Sequence, residues 1–206
     1  MKTFLMVSLL VLLPAQGMAD DAAAGHEASP KQVVETAVGG VIDVLKARKD
    51  QTALSSEDRD AVRKAVEGYF DFPEMAKRAL GKAWKKMTDV QKDEYIATFR
   101  ELLERSYGNR LSDYHDQTVE FKDAKVKKRI AIVDSDVVDA DKRTPVRYKL
   151  VHKKVGWRVY DIKVEGISMI STYRTDFTAA VNKDGLDGFL NGLKERVAGL
   201  QEQDQG

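Results

Sequence analysis

"PVRYKLVHKKVGWRVYDIKVEGISMISTYRTDF", Pro145 to Phe177, decides the fold class. Its first part alternates. Val146, Tyr148 and Leu150 share one phase and Arg147 and Lys149 the other, the pattern of a strand with one buried face. Gly156 marks a turn. The next run begins with Trp157 and Val159 in one phase and continues with Tyr160, Ile162 and Val164 in the other, so it requires a bulge or burial on both faces. Beyond Gly166 the apolar period lengthens to that of a helix, through "SMISTYRTDFTAAV" and again through "LDGFLNGLKERVAGL". Strands joined by turns this short pair antiparallel.

Upstream, "TVEF" and "RIAIVDSDVVD" are further strand candidates, the second leading into the turn "ADKR". A meander of about four strands results. Before Asp116 the pattern is helical. "TDVQ", Thr88 to Gln91, is a capping box. After it Tyr95, Phe99, Leu102, Leu103, Tyr107, Leu111 and Tyr114 form one apolar and aromatic stripe, with Lys92, Glu94, Arg100, Glu101, Glu104 and Arg105 on the wet side. "DFPEMAKRALG" predicts a short helix with Pro73 in its first turn and Gly81 near its end. "LSSED" predicts a cap at Ser55 or Ser56 for a helix running through "RDAVRKAVEGYF". Ser29 and Pro30 start another, with Val34, Val38, Val41, Ile42 and Leu45 at helical spacing. Gly39 and Gly40 weaken it, which close packing against a neighbour explains. Helices, then sheet, then helices make an α+β protein rather than an alternating α/β fold.

The N-terminus reads as an export signal. Lys2 precedes the apolar run "FLMVSLLVLL", too short to span a bilayer easily, and "GMA" puts small residues at Gly17 and Ala19. Cleavage before Asp20 follows, the competing reading being an uncleaved anchor. Residues 1–19 are then the signal, 20–29 a loose leader, 30–200 one domain and 201–206 a tail. Within the domain the helical part covers about 30–115, the sheet about 117–165 and the C-terminal helices about 168–200. The chain has no cysteine, so it lacks a lipoprotein attachment point and any disulfide. Periplasmic export and a fold held by packing are expected. Lysine plus arginine (34) nearly cancel aspartate plus glutamate (33), so composition does not suggest a nucleic-acid partner.

Catalytic motifs fail on inspection. Gly166, Ile167 and Ser168 begin a nucleophile elbow, but Ile170 stands where its last glycine belongs. The alternative makes Ser168 the cap of the helix starting at Met169. Histidines 26, 115 and 152 are too scattered for a metal site. The run Asp134 to Asp141 lacks the glycine and glutamate of a calcium loop. No phosphate-binding glycine pattern occurs. Neither a catalytic residue nor a cofactor is expected.

"YDIKVEGISMISTYRTDF", following "WRV", resembles the signature of the MlaC or toluene-tolerance family, the periplasmic phospholipid-binding proteins of the Mla pathway. "FDFPEMAKRALGKAW", "TDVQKDEYIATFRELLERSYGNRL" and "TPVRYKL" are similar to its other segments, in the same order, from about Pro30 to Leu200. The resemblance implies a curved antiparallel sheet of nuclear-transport-factor-2-like shape, wrapped by N- and C-terminal helices around an apolar cavity. It implies a monomeric carrier, not an enzyme, shuttling phospholipid between an outer-membrane lipoprotein complex and an inner-membrane ABC transporter with its membrane-anchored substrate-binding subunit, and so maintaining outer-membrane lipid asymmetry. Alternatives are a hopanoid-associated relative and a periplasmic lipid hydrolase using Ser168.

Such a cargo sets a physical demand. Each methylene is worth about 0.8 kcal/mol of transfer free energy, so two acyl tails need a comparably apolar enclosure. That enclosure should lie toward the upper end of the usual range of roughly 300–1,000 Å³. From the helices the lipid-binding candidates are Phe72, Met75, Leu80, Trp84, Phe99, Leu103 and Tyr107. From the sheet and its exit they are Tyr148, Leu150, Tyr160, Ile162, Ile167, Met169 and Ile170. Lys82, Lys85 and Lys86 belong to a solvated face, with a membrane or partner surface as the other reading.

Overall fold

The computed structural model describes residues 27–50 and 53–203; the expected signal segment lies outside them, as does most of the leader. Helix α1 (Pro30–Ala47) starts at a capping box in which Ser29 Oγ accepts the Gln32 backbone N–H and the Gln32 side chain accepts that of Ser29. Helix α2 (Ser56–Val66) starts the same way from Ser55 and Asp58. It ends earlier than its sequence pattern predicts. Gly68 takes a left-handed φ of 79°, and the chain then runs beside the sheet, Val159 N–H donating to Tyr69 O and Asp71 N–H to Val159 O, both at 2.8 Å. The aromatic pair after the helix is thus drawn into strand-like pairing.

Helix α3 (Phe72–Leu80) is capped by Asp71 and carries Pro73 in its first turn. It passes through a 3₁₀ segment (Gly81–Lys86) into α4 (Asp89–Ser112), whose Thr88–Gln91 capping box forms as expected. The sheet follows: β1 (Thr118–Phe121), β2 (Lys125–Lys127), β3 (Ile130–Asp139), β4 (Lys142–Lys153), β5 (Gly156–Val164) and β6 (Ile167–Ser168). These strands pair antiparallel throughout, in the order β1-β3-β4-β5-β6, with β2 also pairing β3, and Phe70 adds a single parallel bridge to Val159. The two strands beyond the expected four are β2 and β6, three and two residues long, too short to show a period. Helix α5 (Met169–Gln203) closes the chain. Gly185, at φ 71° and ψ −179°, breaks it into the two helical stretches that the sequence separates.

The bulge in β5 is real. Lys149 pairs with Asp161 and Leu150 with Val159, leaving Tyr160 as the extra residue. Its ring belongs to a different core from its neighbours. Val159, Trp157, Leu150 and Val133 pack with Val33 and Val34 of α1. Tyr160 instead joins Met75, Tyr95, Phe99, Tyr173 and Phe177 among α3, α4 and α5, with the Arg78 guanidinium 4.1 Å from its ring centroid. The protein therefore has two cores, one against each layer of helices, and the bulge is where β5 passes between them.

Candidate functional site

A cavity of about 770 Å³ lies between the sheet and helices α1, α2 and α4. Its floor is one face of the sheet. Antiparallel register places Val137 beside Val119, and Tyr148 beside Ile162, with Val146 beside Val164. The α1 wall is Ala37, Val38, Val41, Ile42 and Leu45, one helical stripe. Val62 and Val66 of α2 face it, and Phe70 closes one side. The last turns of α4 contribute Tyr107, Gly108 and Leu111. Most of the lining is aliphatic or aromatic, with Arg59, Arg63, Glu104, Asp113, Gln117, Asp139, Lys142 and Thr144 also contributing.

Small residues allow this enclosure. Gly40 lies where α1 meets α2, and a methyl group there would press on Ala65 Cβ at 3.2 Å. Gly108 leaves room for Arg59, whose Nη1 would stand 2.6 Å from any added Cβ. The closeness that the Gly39-Gly40 pair suggests is therefore used at Gly40.

Several charged residues at the cavity are tied to one another or to backbone. Arg63 of α2 donates to Glu104 of α4 through Nε at 2.9 Å and also pairs with Asp60. The hydrogen bond to Glu104 raises the Arg63 pKa above its ordinary value, and the pair straps the two helices together. At the far end Arg48 is buried. Its Nη1 donates to Leu111 O at 3.1 Å and its Nη2 to Ser112 O and Tyr114 O at 2.9 and 2.6 Å, closing the carboxyl end of α4. The Tyr148 phenol on the floor is pushed up in pKa by burial and remains neutral.

The candidate residues from sequence divide among several places. Tyr107, Tyr148 and Ile162 line the cavity. Met75, Leu80, Phe99, Leu103, Tyr160 and Ile170 are buried in the α3–α4–α5 core, and Phe72, Trp84 and Met169 pack against it. Leu150 is sealed between α1 and the sheet. Ile167, 70% exposed, faces solvent on β6. The cavity walls that sequence reasoning did not choose are those of α1 and α2. Val38, Val41 and Ile42 were visible as a stripe; Val62 and Val66 had the right spacing on a shorter helix. Nothing in that spacing tells an unfilled neighbour from a filled one.

Ser168 has a settled geometry. Its Oγ donates to Asp161, with Oδ1 and Oδ2 at 2.9 and 2.8 Å, and accepts the Ser171 N–H at 3.0 Å. Asp161 also accepts from Lys149 Nζ at 3.0 Å and from the Ile170 N–H at 3.3 Å. The serine caps α5 and ties it to β5. No histidine takes part in these bonds. Among the described residues no cluster of histidine, cysteine, aspartate and glutamate has the makings of a metal site.

Comparison with known proteins places this geometry. The family model described as "MlaC protein" matches residues 35–195. An intermembrane phospholipid transport system binding protein of Haemophilus influenzae is 21% identical over 84% of each chain. A toluene tolerance protein of Pseudomonas putida is 28% identical over 96% of this chain and 93% of its own. Among solved structures, a phospholipid-binding protein of Ralstonia solanacearum, in complex with a phospholipid, superposes with a TM-score of 0.79 at 27% identity, covering 84% of this chain and 99% of that one.

Proposed function

The chain belongs to the MlaC family, and from that premise we propose that it carries phospholipid, with the acyl tails held in the cavity between α1, α2, α4 and the sheet. The observation that carries this reading is the cavity itself. At about 770 Å³ it lies in the upper part of the usual range for ligand sites, roughly 300–1,000 Å³, and its walls are mostly apolar. Protein interiors rarely leave such a volume unfilled, because each missing contact costs packing energy. A tail that fills it regains those contacts and leaves water at about 0.8 kcal/mol per methylene.

Charged lining residues, Arg63 and Glu104 among them, are the groups a headgroup would meet. Tail burial then dominates affinity, and the contacting set is Val38, Val41 and Ile42 of α1, Val62 and Val66 of α2, Tyr107 of α4, and Tyr148 and Ile162 of the sheet. As a periplasmic shuttle the protein would take its cargo from one membrane-bound complex and release it to another, an ABC transporter on the inner side and a lipoprotein complex on the outer. The family and the export-like N-terminus support this. Among the described residues no helix is long and apolar enough to cross a membrane. Release requires a partner that binds the opened form better than the closed one.

The test is extraction. The purified chain, treated with organic solvent, should yield phospholipid in near-stoichiometric amount by mass spectrometry. A protein that carries none, and takes up none from vesicles, would refute the carrier reading.

A further inference from the structure

Two hairpin tips lie together at the end of the sheet away from the cavity. The cavity floor uses Thr144 to Tyr148 of β4 and Ile162 to Val164 of β5, whereas the tips join β2 to β3 and β4 to β5 at the other ends of those strands. Each has a two-residue loop. One is Lys128-Arg129, between the paired Lys127 and Ile130; the other is Lys154-Val155, between the paired Lys153 and Gly156. The sequences are "KVKKRI" and "KKVG".

These loops are not made of the residues that turns favour. Two-residue hairpins prefer asparagine, aspartate and glycine. Lys128 instead holds a left-handed φ of 56°, where glycine would be less strained. Val155 is a β-branched residue at an apex and is 70% exposed, with Val126 beside the other loop 55% exposed. The tips are also locked to each other. The Arg129 guanidinium donates to His152 O at 3.1 and 2.8 Å, and the His152 N–H donates to Arg129 O at 2.9 Å.

Charge at this end is one-sided. Asp71 and Glu74 face Lys153, and Glu27 lies within hydrogen-bond distance of the His152 ring. Lys127, Lys128 and Lys154 have no ion-pair partner among the described residues. The whole chain carries a formal charge of only +1, so this is local segregation. Exposed valines at or beside the turns, next in sequence to lysines, present apolar side chains and ammonium groups together. They match a flat anionic surface into which the valines dip while the lysines meet phosphates.

We propose that the paired Lys128-Arg129 and Lys154-Val155 tips form a docking surface for anionic phospholipid bilayers, distinct from the cavity. Docking there holds the protein at a membrane while leaving the cavity end free to meet whatever loads or empties it.

The test is flotation of the lipid-loaded mature chain with vesicles of phosphatidylcholine alone or of phosphatidylcholine and phosphatidylglycerol in equal parts. The protein should float only with the anionic vesicles and be released by high salt. A Lys128→Ala/Lys154→Ala variant should partition at least about tenfold less. Val155→Asp should weaken binding with every lysine still in place, and both variants should keep the native melting temperature and copurified lipid. Equal partition to neutral vesicles, no partition at all, or variants that float like the native chain would overturn the proposal, as would variants that lose only an acidic protein partner. Partition is read on the protein, so a failure of the carrier reading shows separately as absent copurified lipid.

Discussion

Helix α4 passes through two regions built from the same kinds of side chain. Its first half enters a tight aromatic core, where Tyr95, Phe99, Tyr173, Phe177 and Phe189 stand with ring centroids 4.9 to 6.3 Å apart. Its last turns, at Tyr107 and Leu111, face an open volume. In the first region every ring has a fixed neighbour, edge-on or offset, and Tyr95 also donates to Ala76 O at 3.2 Å. In the second the helix is held mainly by polar contacts, where Arg63 meets Glu104, Arg59 meets Gly108 and Arg48 donates to the carbonyls of Leu111 and Ser112. One region holds the protein together, and the other keeps a space that a ligand can complete.

Substitutions can break this contrast. Phe99→Ala, at the centre of the aromatic core, should lower the stability of delipidated protein by roughly 3–5 kcal/mol in denaturant unfolding. A loss below about 1 kcal/mol would mean that the core is looser than its ring contacts indicate. Leu103 sharpens the boundary. It lies one turn after Phe99 and one before Tyr107, but packs with the core. Leu103→Ala should therefore cost roughly 2–5 kcal/mol. If instead it keeps its stability and loses copurified lipid, the cavity reaches further up α4.

Ser168→Ala should cost about 1–2 kcal/mol, because a helix cap and one partner of buried Asp161 go together. Lipid content should be unchanged. Ile42→Gln, on the cavity wall, should show the opposite pairing. Its stability loss without lipid should be about 1 kcal/mol or less, while an amide facing acyl tails lacks partners and lipid content by mass spectrometry should fall sharply. A variant that unfolds badly yet keeps its lipid would remove α1 from the site.

The smallest effect lies outside both regions. Hydrogen bonds from Arg147 hold the Asp134 carboxyl below its ordinary pKa of 3.8. A lowered folded pKa means that the stabilisation is complete above that ordinary value and is lost as pH falls through the lower one. Arg147→Ala should remove under about 1 kcal/mol at neutral pH, and the difference from the native chain should shrink on acidification. An equal difference at all pH values would assign the loss to packing.

The architecture was largely legible, and the lining was not. Capping boxes at Ser29, Ser55 and Thr88 are local, each closed within three residues, so the chain announces them wherever it lies. The same holds for the alternation of Val146, Tyr148 and Leu150, and for the phase change that marks the Tyr160 bulge. The end of α2 departs from its sequence pattern because Tyr69 and Phe70 continue a helical pattern but Tyr69 and Asp71, on either side of Phe70, find hydrogen bonds on β5. The helix residues expected to touch lipid all lie in or against the α3–α4–α5 cluster, Tyr107 alone among them also lining the cavity, while Val38, Val41 and Ile42 of the α1 stripe form a wall.

By itself the sequence determined the order of elements, their caps, the antiparallel meander and the family resemblance, because these depend on periods and on residues a few positions apart. Tertiary structure alone decided which apolar face meets packed rings and which meets a space. An apolar stripe states that a face must leave water; what it meets depends on helices α1, α2 and α4 arriving from distant parts of the chain and failing, by about 770 Å³, to close against the sheet.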